Sequence, residues 1–193
     1  MRIISFLLLL TLSIPALAQD STKRYTFKEF GWTITLPDGF TVMDKAESRK
    51  KVEQGKKLIE ESNDIVADIS ALRTLFTATK NTYQYFSSTI EPFDSKKDGD
   101  YKLTSKKVKD ITFITFKEKM GDAKLDSVSE KATIDGLVFD KYIITVKLKD
   151  LTMTMVLMSK LYKGYDFGIS YLYLDEKTKE QIEASINGSK FRK

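Results

Sequence analysis

The chain has 193 residues, with 32 Lys and Arg against 27 Asp and Glu, a formal net charge of +5. It contains no histidine and no cysteine. Without imidazole or thiolate, the usual zinc, copper and iron sites, a His-based triad and any disulfide brace are excluded. The cations are almost all lysine, which disfavours the bidentate reading of phosphates and base edges that arginine performs, so nucleic acid is not an expected partner.

At the N-terminus, Arg2 precedes an apolar run from Ile3 to Ile14, broken by Pro15 and followed by Ala16-Leu17-Ala18. This is the layout of a cleaved secretory leader over residues 1–18. The run is shorter than the ~20 residues that span a bilayer, and no later segment is apolar enough to cross one. The remaining residues, 19–193, are long enough for a single domain with a real core. No cysteine follows the leader to take a lipid, so a periplasmic or secreted chain is expected, with no transmembrane segment after cleavage.

The stretch "RYTFKEFGWTITLP" alternates apolar and polar residues on both sides of Gly31. It predicts a strand pair from Tyr25 to Leu36 that leaves the sheet at Pro37-Asp38-Gly39. Trp32, the only tryptophan, shares a face with Ile34 and reads as a core anchor. Asp44 is an N-cap for a helix over 45–62, whose few apolar positions are Ala46, Val52, Leu58 and Ile59. Gly55 in its middle costs about 1 kcal/mol relative to alanine and suggests close helix–sheet contact. "LRTLFTATKNTYQYFSSTI" predicts a hairpin turning at Lys80-Asn81, and "DSKKDGDY" a polar loop. Residues 100–119 carry Leu103, Val108, Ile111, Thr115 and Met120 at helical spacing, although "ITFITF" alone suits a strand; helix is favoured. Three strands follow, "GLVFDKYIITVKL", "LTMTMVLMSKLY" and "GYDFGISYLYL", joined at Lys149-Asp150 and Lys163-Gly164. Both of their faces are apolar, so the meander is expected to be covered on two sides. Asp175 caps a last helix with Ile182 and Ile186 one turn apart.

The ordered set "FGWTITLPDGF", charged helix, "LFTATKNTYQYFSSTIEPF", second helix, meander and "IEASINGSKF" resembles the PsbP-like family. The resemblance runs from Tyr25 to Phe191. The family's fold is shared by a small Ran-binding nuclear protein of yeast and by many bacterial envelope proteins. It implies an α+β chain built as a three-layer α/β/α sandwich around a central antiparallel sheet, and a binding or assembly role rather than catalysis. The partners of those relatives do not transfer: the leader conflicts with a nuclear or cytosolic partner, and a histidine-dependent metal site cannot be reproduced here.

Short motifs carry little. Ser48 to Lys51 matches S-x-x-K and Ser185 to Asn187 matches S-x-N, but the companion K-T-G is missing. Asp94, Asp98 and Asp100 lack EF-hand spacing and are interrupted by Lys96 and Lys97. Glu60 and Glu61 are adjacent and point apart, unlike a glycosidase pair. No catalytic residue, cofactor site or metal site is expected. Two surfaces remain. Lys96, Lys97, Lys102, Lys106, Lys107 and Lys109 give a local net charge of +4 over residues 96–109, suited to an acidic partner or to peripheral contact with anionic lipid, or simply to solvation. Tyr162, Tyr165, Tyr171 and Tyr173 could line a groove or close the edge of the core. The sequence therefore predicts an exported, non-catalytic protein acting through contacts with another envelope protein. The alternative is a carrier holding an apolar or amphipathic molecule between sheet and helix, lined by Met153, Met155 and Tyr171; a cavity of at least ~300 Å³ would favour it.

Overall fold

A computed structural model describes residues 23–192; the leader assignment lies outside them. Within that span the chain is α+β, with four helices and two antiparallel sheets. The first strands, β1 (Arg24–Phe27) and β2 (Trp32–Thr35), form the expected hairpin. Their partner is the last strand, β10 (Lys190–Phe191), so the two ends of the fold close a small three-stranded sheet. After β3 (Thr41–Val42) and α1 (Lys45–Asn63) come β4 (Arg73–Asn81) and β5 (Gln84–Pro92). A short helical turn, α2 (Ser95–Asp98), occupies the expected polar loop and leads into α3 (Tyr101–Lys119). Then follow β6 (Lys124–Ile134), β7 (Leu137–Leu148), β8 (Leu151–Tyr162), β9 (Tyr165–Tyr173) and α4 (Glu176–Gly188). The main sheet has seven strands in the order β3-β4-β5-β9-β8-β7-β6.

Capping explains why the helices start where they do. Asp44, Asp100 and Asp175 sit in extended conformation and accept hydrogen bonds from the backbone N–H of Glu47, Leu103 and Thr178. Each satisfies a donor that the first helical turn cannot pair internally. Residues 101–119 are thus helix, the favoured reading. Three details differ from expectation. The β4–β5 turn falls at Thr82-Tyr83, because Asn81 still pairs with Gln84. The meander has four strands, since β6 pairs with β7 over its whole length. Gly55 makes no close approach, as a Cβ built there meets nothing within 4 Å.

The main sheet is covered on both faces. On one lie the small sheet and α4. Trp32, fully buried, stacks near Phe76, Phe27 and Phe191 and meets Phe167 edge-on at 5.0 Å. Ile182 and Ile186 of α4 join this core, and the Tyr171 hydroxyl donates to Glu183 at 3.0 Å. On the opposite face lie α1 and α3. Phe113, Phe116 and Met120 of α3 pack on Tyr142, Ile144 and Val146, and Lys109 sits over the Tyr142 ring. The C-terminal half of α1 is fastened to α3 by Asn63 Nδ2 donating to Thr115 Oγ1 at 2.9 Å and by the Lys119–Glu61 ion pair at 2.9 Å. No helix among the described residues is long and apolar enough to cross a membrane.

Candidate functional site

The inward stripe of α1 runs Ser48, Val52, Gly55, Ile59, Ser62, with periods of three and four residues that keep one face turned to the sheet. Three of these five, Ser48, Gly55 and Ser62, are small for a helix that covers a sheet, and the buried ones on α1 are Ser48 and Ser62. A helix with so little bulk on its inner face cannot fill the space beneath it. Among the described residues, one hydrogen bond between side chains ties its N-terminal half to the sheet, between Ser48 Oγ and Thr77 Oγ1 at 2.9 Å.

The facing strand adds a second irregularity. The β4–β5 register shifts between Thr74 and Phe76, leaving Leu75 as a bulge. Thr74 lies opposite Thr89 and Thr77 opposite Ser87, so the extra residue turns both threonines to the α1 side, while Phe76 goes to the tryptophan core. The result is a half-open cavity of about 630 Å³ between α1, β4 and the connection through residues 68–72. Val42, Val52, Leu72 and Leu75 supply apolar wall, and Ser48, Thr74 and Thr77 supply hydroxyls. Beyond the Ser48–Thr77 bond a second cavity, about 400 Å³, runs along Met43, Thr79, Asn81 and Tyr85. The two share Met43 and Thr77.

Charge at the mouth of the larger cavity is unevenly engaged. Asp44 is used by the helix cap, and Asp68 accepts from the Ser70 backbone N–H at 2.9 Å. That backbone hydrogen bond is the main cause holding the Asp68 carboxyl below its usual range. Lys56 pairs with Glu60 at 3.7 Å. Lys45 and Arg49 line the same mouth and form no ion pair among the described residues. Glu53, an acid beside them, likewise has no ion pair among the described residues.

The residues singled out from sequence lie elsewhere. Lys96 and Lys97 are in the last turn of α2. Lys102, Lys106, Lys107 and Lys109 follow on α3, where Lys106 pairs with Asp110 at 2.5 Å and Lys109 is drawn onto Tyr142. The four tyrosines all face the tryptophan side of the sheet but divide into two pairs. Tyr162 and Tyr165 are opposite each other in β8 and β9 and pack on Phe191 and Phe30. Tyr171 and Tyr173 stack together at 6.2 Å near α4. None of the four lines either cavity. Met155 lies opposite Leu172, and Val156 opposite Tyr171, so Met153 and Met155 lie on the other face of the sheet from Tyr171. These three cannot line one pocket. Ser48, which begins the S-x-x-K match, is held by Thr77, and Ser185 Oγ donates to the Thr35 carbonyl.

Of the cavity residues, Asp44, Ser48 and Val52 stand out in the sequence only as a cap, a motif match and an apolar helix position, and none of them signals a site. The usable signal is small: Ser48 and Val52, one turn apart on the inward side of α1, both line the larger cavity, and the Leu75 bulge leaves no comparable trace. The chain matches no protein-family model, and no curated protein is recognisably similar to it.

Proposed function

We propose that this is an exported, non-catalytic binding protein with the PsbP-like three-layer α/β/α organisation, and that its ligand is an amphipathic small molecule seated between α1 and β4. The observation that carries the reading is the 630 Å³ cavity, which falls within the ~300–1,000 Å³ of small-molecule sites. Apolar walls, the hydroxyl residues Ser48, Ser70, Thr74 and Thr77, and the cations Lys45 and Arg49, which outnumber Glu53, the neighbouring acid without an ion pair among the described residues, suit an apolar body with an anionic head. Helices on both faces of the sheet support the sandwich. The binding role is also the one the family resemblance implies.

Anilinonaphthalene sulfonate, an apolar ring system with an anionic head, is a suitable probe. The full chain should enhance its fluorescence with one saturable site. Val52→Trp, which fills the cavity from α1, should abolish that site, and Arg49→Glu should weaken it about tenfold, equivalent to 1.4 kcal/mol. Saturable binding unchanged in a folded Val52→Trp variant would refute the assignment.

A contact with another envelope protein keeps one specific observation in its favour. Leu103 and Val108 are 63% and 50% exposed among the lysines of α3, the mixture of apolar and basic groups that docks on an acidic surface.

A further inference from the structure

The geometry points to the outer edge of β6 as a self-pairing surface through which two copies of this chain join, antiparallel, into one continuous sheet. Nothing in this pairing depends on the cavity. The two edges of the main sheet are treated differently. At one, β3 is only two residues long and β4 behind it is bulged, both devices that discourage edge-to-edge pairing. At the other, β6 has eleven residues with no proline, no glycine and no register shift against β7. No strand among the described residues pairs with its outer side.

The turn determines which groups face outward. Asp135 and Gly136, with φ of 46° and 81°, form a two-residue hairpin turn, so Ile134 and Leu137 are a hydrogen-bonded pair. Hydrogen-bonded pairs alternate along an antiparallel ladder. Even-numbered residues of β6 therefore bond β7, and odd-numbered ones aim their N–H and C=O groups outward. Consistent with this, the Ser127 N–H is taken locally by Asp126 Oδ1 at 2.8 Å, a bond that pairing would replace.

Two copies related by a two-fold axis perpendicular to the sheet must pair odd with odd and even with even. With Ser127 opposite its own copy, Leu125 meets Ser129, and Lys124 meets Glu130, in both directions. The Lys124–Glu130 contacts fall at non-hydrogen-bonded positions, where opposing side chains are closest. Within one chain Lys124 lies opposite Lys147, a like-charge pair, which the incoming Glu130 would offset. Glu130 already binds Lys141 through Oε1 at 2.9 Å. Val128, 51% exposed, would approach its symmetry mate diagonally across the axis. About six backbone hydrogen bonds would form, a small contact that predicts a dimer in the micromolar range.

The native chain has no cysteine, which makes the register directly testable. In the proposed dimer the two Ser127 Cα atoms are ~5.5 Å apart, within disulfide reach. Mild oxidation should therefore cross-link Ser127→Cys and leave Ser129→Cys monomeric. Sedimentation equilibrium of the unmodified chain should show dimer over about 5–500 µM. Glu130→Lys should weaken association at least about tenfold, and adding Lys124→Glu should restore it. Ser127→Pro, which removes an outward N–H but no bond to β7, should also give monomer. Monomer throughout that range, equal cross-linking at both cysteines, or no rescue by the charge swap in a folded double variant would overturn the proposal.

Discussion

Two buried residues show how single groups are balanced. Trp32 is fully buried within a ring of aromatics, yet its Nε1 has no hydrogen-bond partner among the described residues. Its worth lies in packing, offset by a desolvated donor that costs about 1–3 kcal/mol. Trp32→Ala should therefore destabilise by about 3–5 kcal/mol. Trp32→Phe should cost far less, because a phenyl ring keeps much of the aromatic packing while the unpaired N–H is removed in both variants. Urea unfolding of both variants measures the difference, and equal losses would contradict a packing role for the ring. Asp166 tests electrostatics in the same way. Burial pushes its carboxyl above the usual range, against the opposing effect of the Tyr101 hydroxyl, which donates to it at 2.7 Å. Glu91 is raised as well, first by burial and then by the charge of Asp166. A carboxyl with a raised folded-state pKa binds its proton more tightly when folded. Its penalty is absent below the unfolded value near 4 and grows as pH rises to the folded value. Asp166→Asn keeps an acceptor for Tyr101 and removes the charge. Its urea midpoint should exceed that of the parent at pH 7.5, with the gap closing as pH falls towards 4; a gap independent of pH would contradict this.

At the scale of elements, the strands and helices that can be read from sequence are those with a local signature. The caps Asp44, Asp100 and Asp175 each open a helix, and the turns at Lys149-Asp150 and Lys163-Gly164 lie between the strands they are expected to join. β6 escapes such a reading because "KLDSVSEKATI" is exposed along most of its length, so neither face imposes an apolar alternation. The closure of the small sheet is not legible either, since it joins residues far apart in the chain. Gly31 explains why that closure needs its glycine. It has φ of 64°, and a Cβ there would lie 2.7 Å from the Arg192 carbonyl oxygen; the Arg192 N–H donates to the Gly31 carbonyl at 2.8 Å. Gly31→Ala should therefore push β10 away from β2 and destabilise the chain by about 1–3 kcal/mol. Hydrogen exchange at Phe191 and Arg192 should rise by much more than exchange in β8. Unchanged protection at the chain end would show that β10 tolerates the methyl group.

At the scale of the whole molecule, bulk is distributed unequally over the main sheet. One face is filled by Trp32, Phe76, Phe86, Phe167 and the isoleucines of α4. The other is filled beneath α3 by Phe113 and Phe116, but the N-terminal half of α1 brings only Ser48 and Val52 to it among polar and charged neighbours, and the cavity lies there. The outline of an α+β chain is therefore visible in capping and alternation. The candidate site is not, because it arises from what α1 lacks and from a bulge in a strand that follows it. Native mass spectrometry of the protein purified from the cells that produce it decides whether the cavity between α1 and β4 holds a ligand. A species heavier than the polypeptide by a few hundred daltons, lost in Val52→Trp, is the expected result. A bare polypeptide mass under conditions that preserve non-covalent complexes would contradict it.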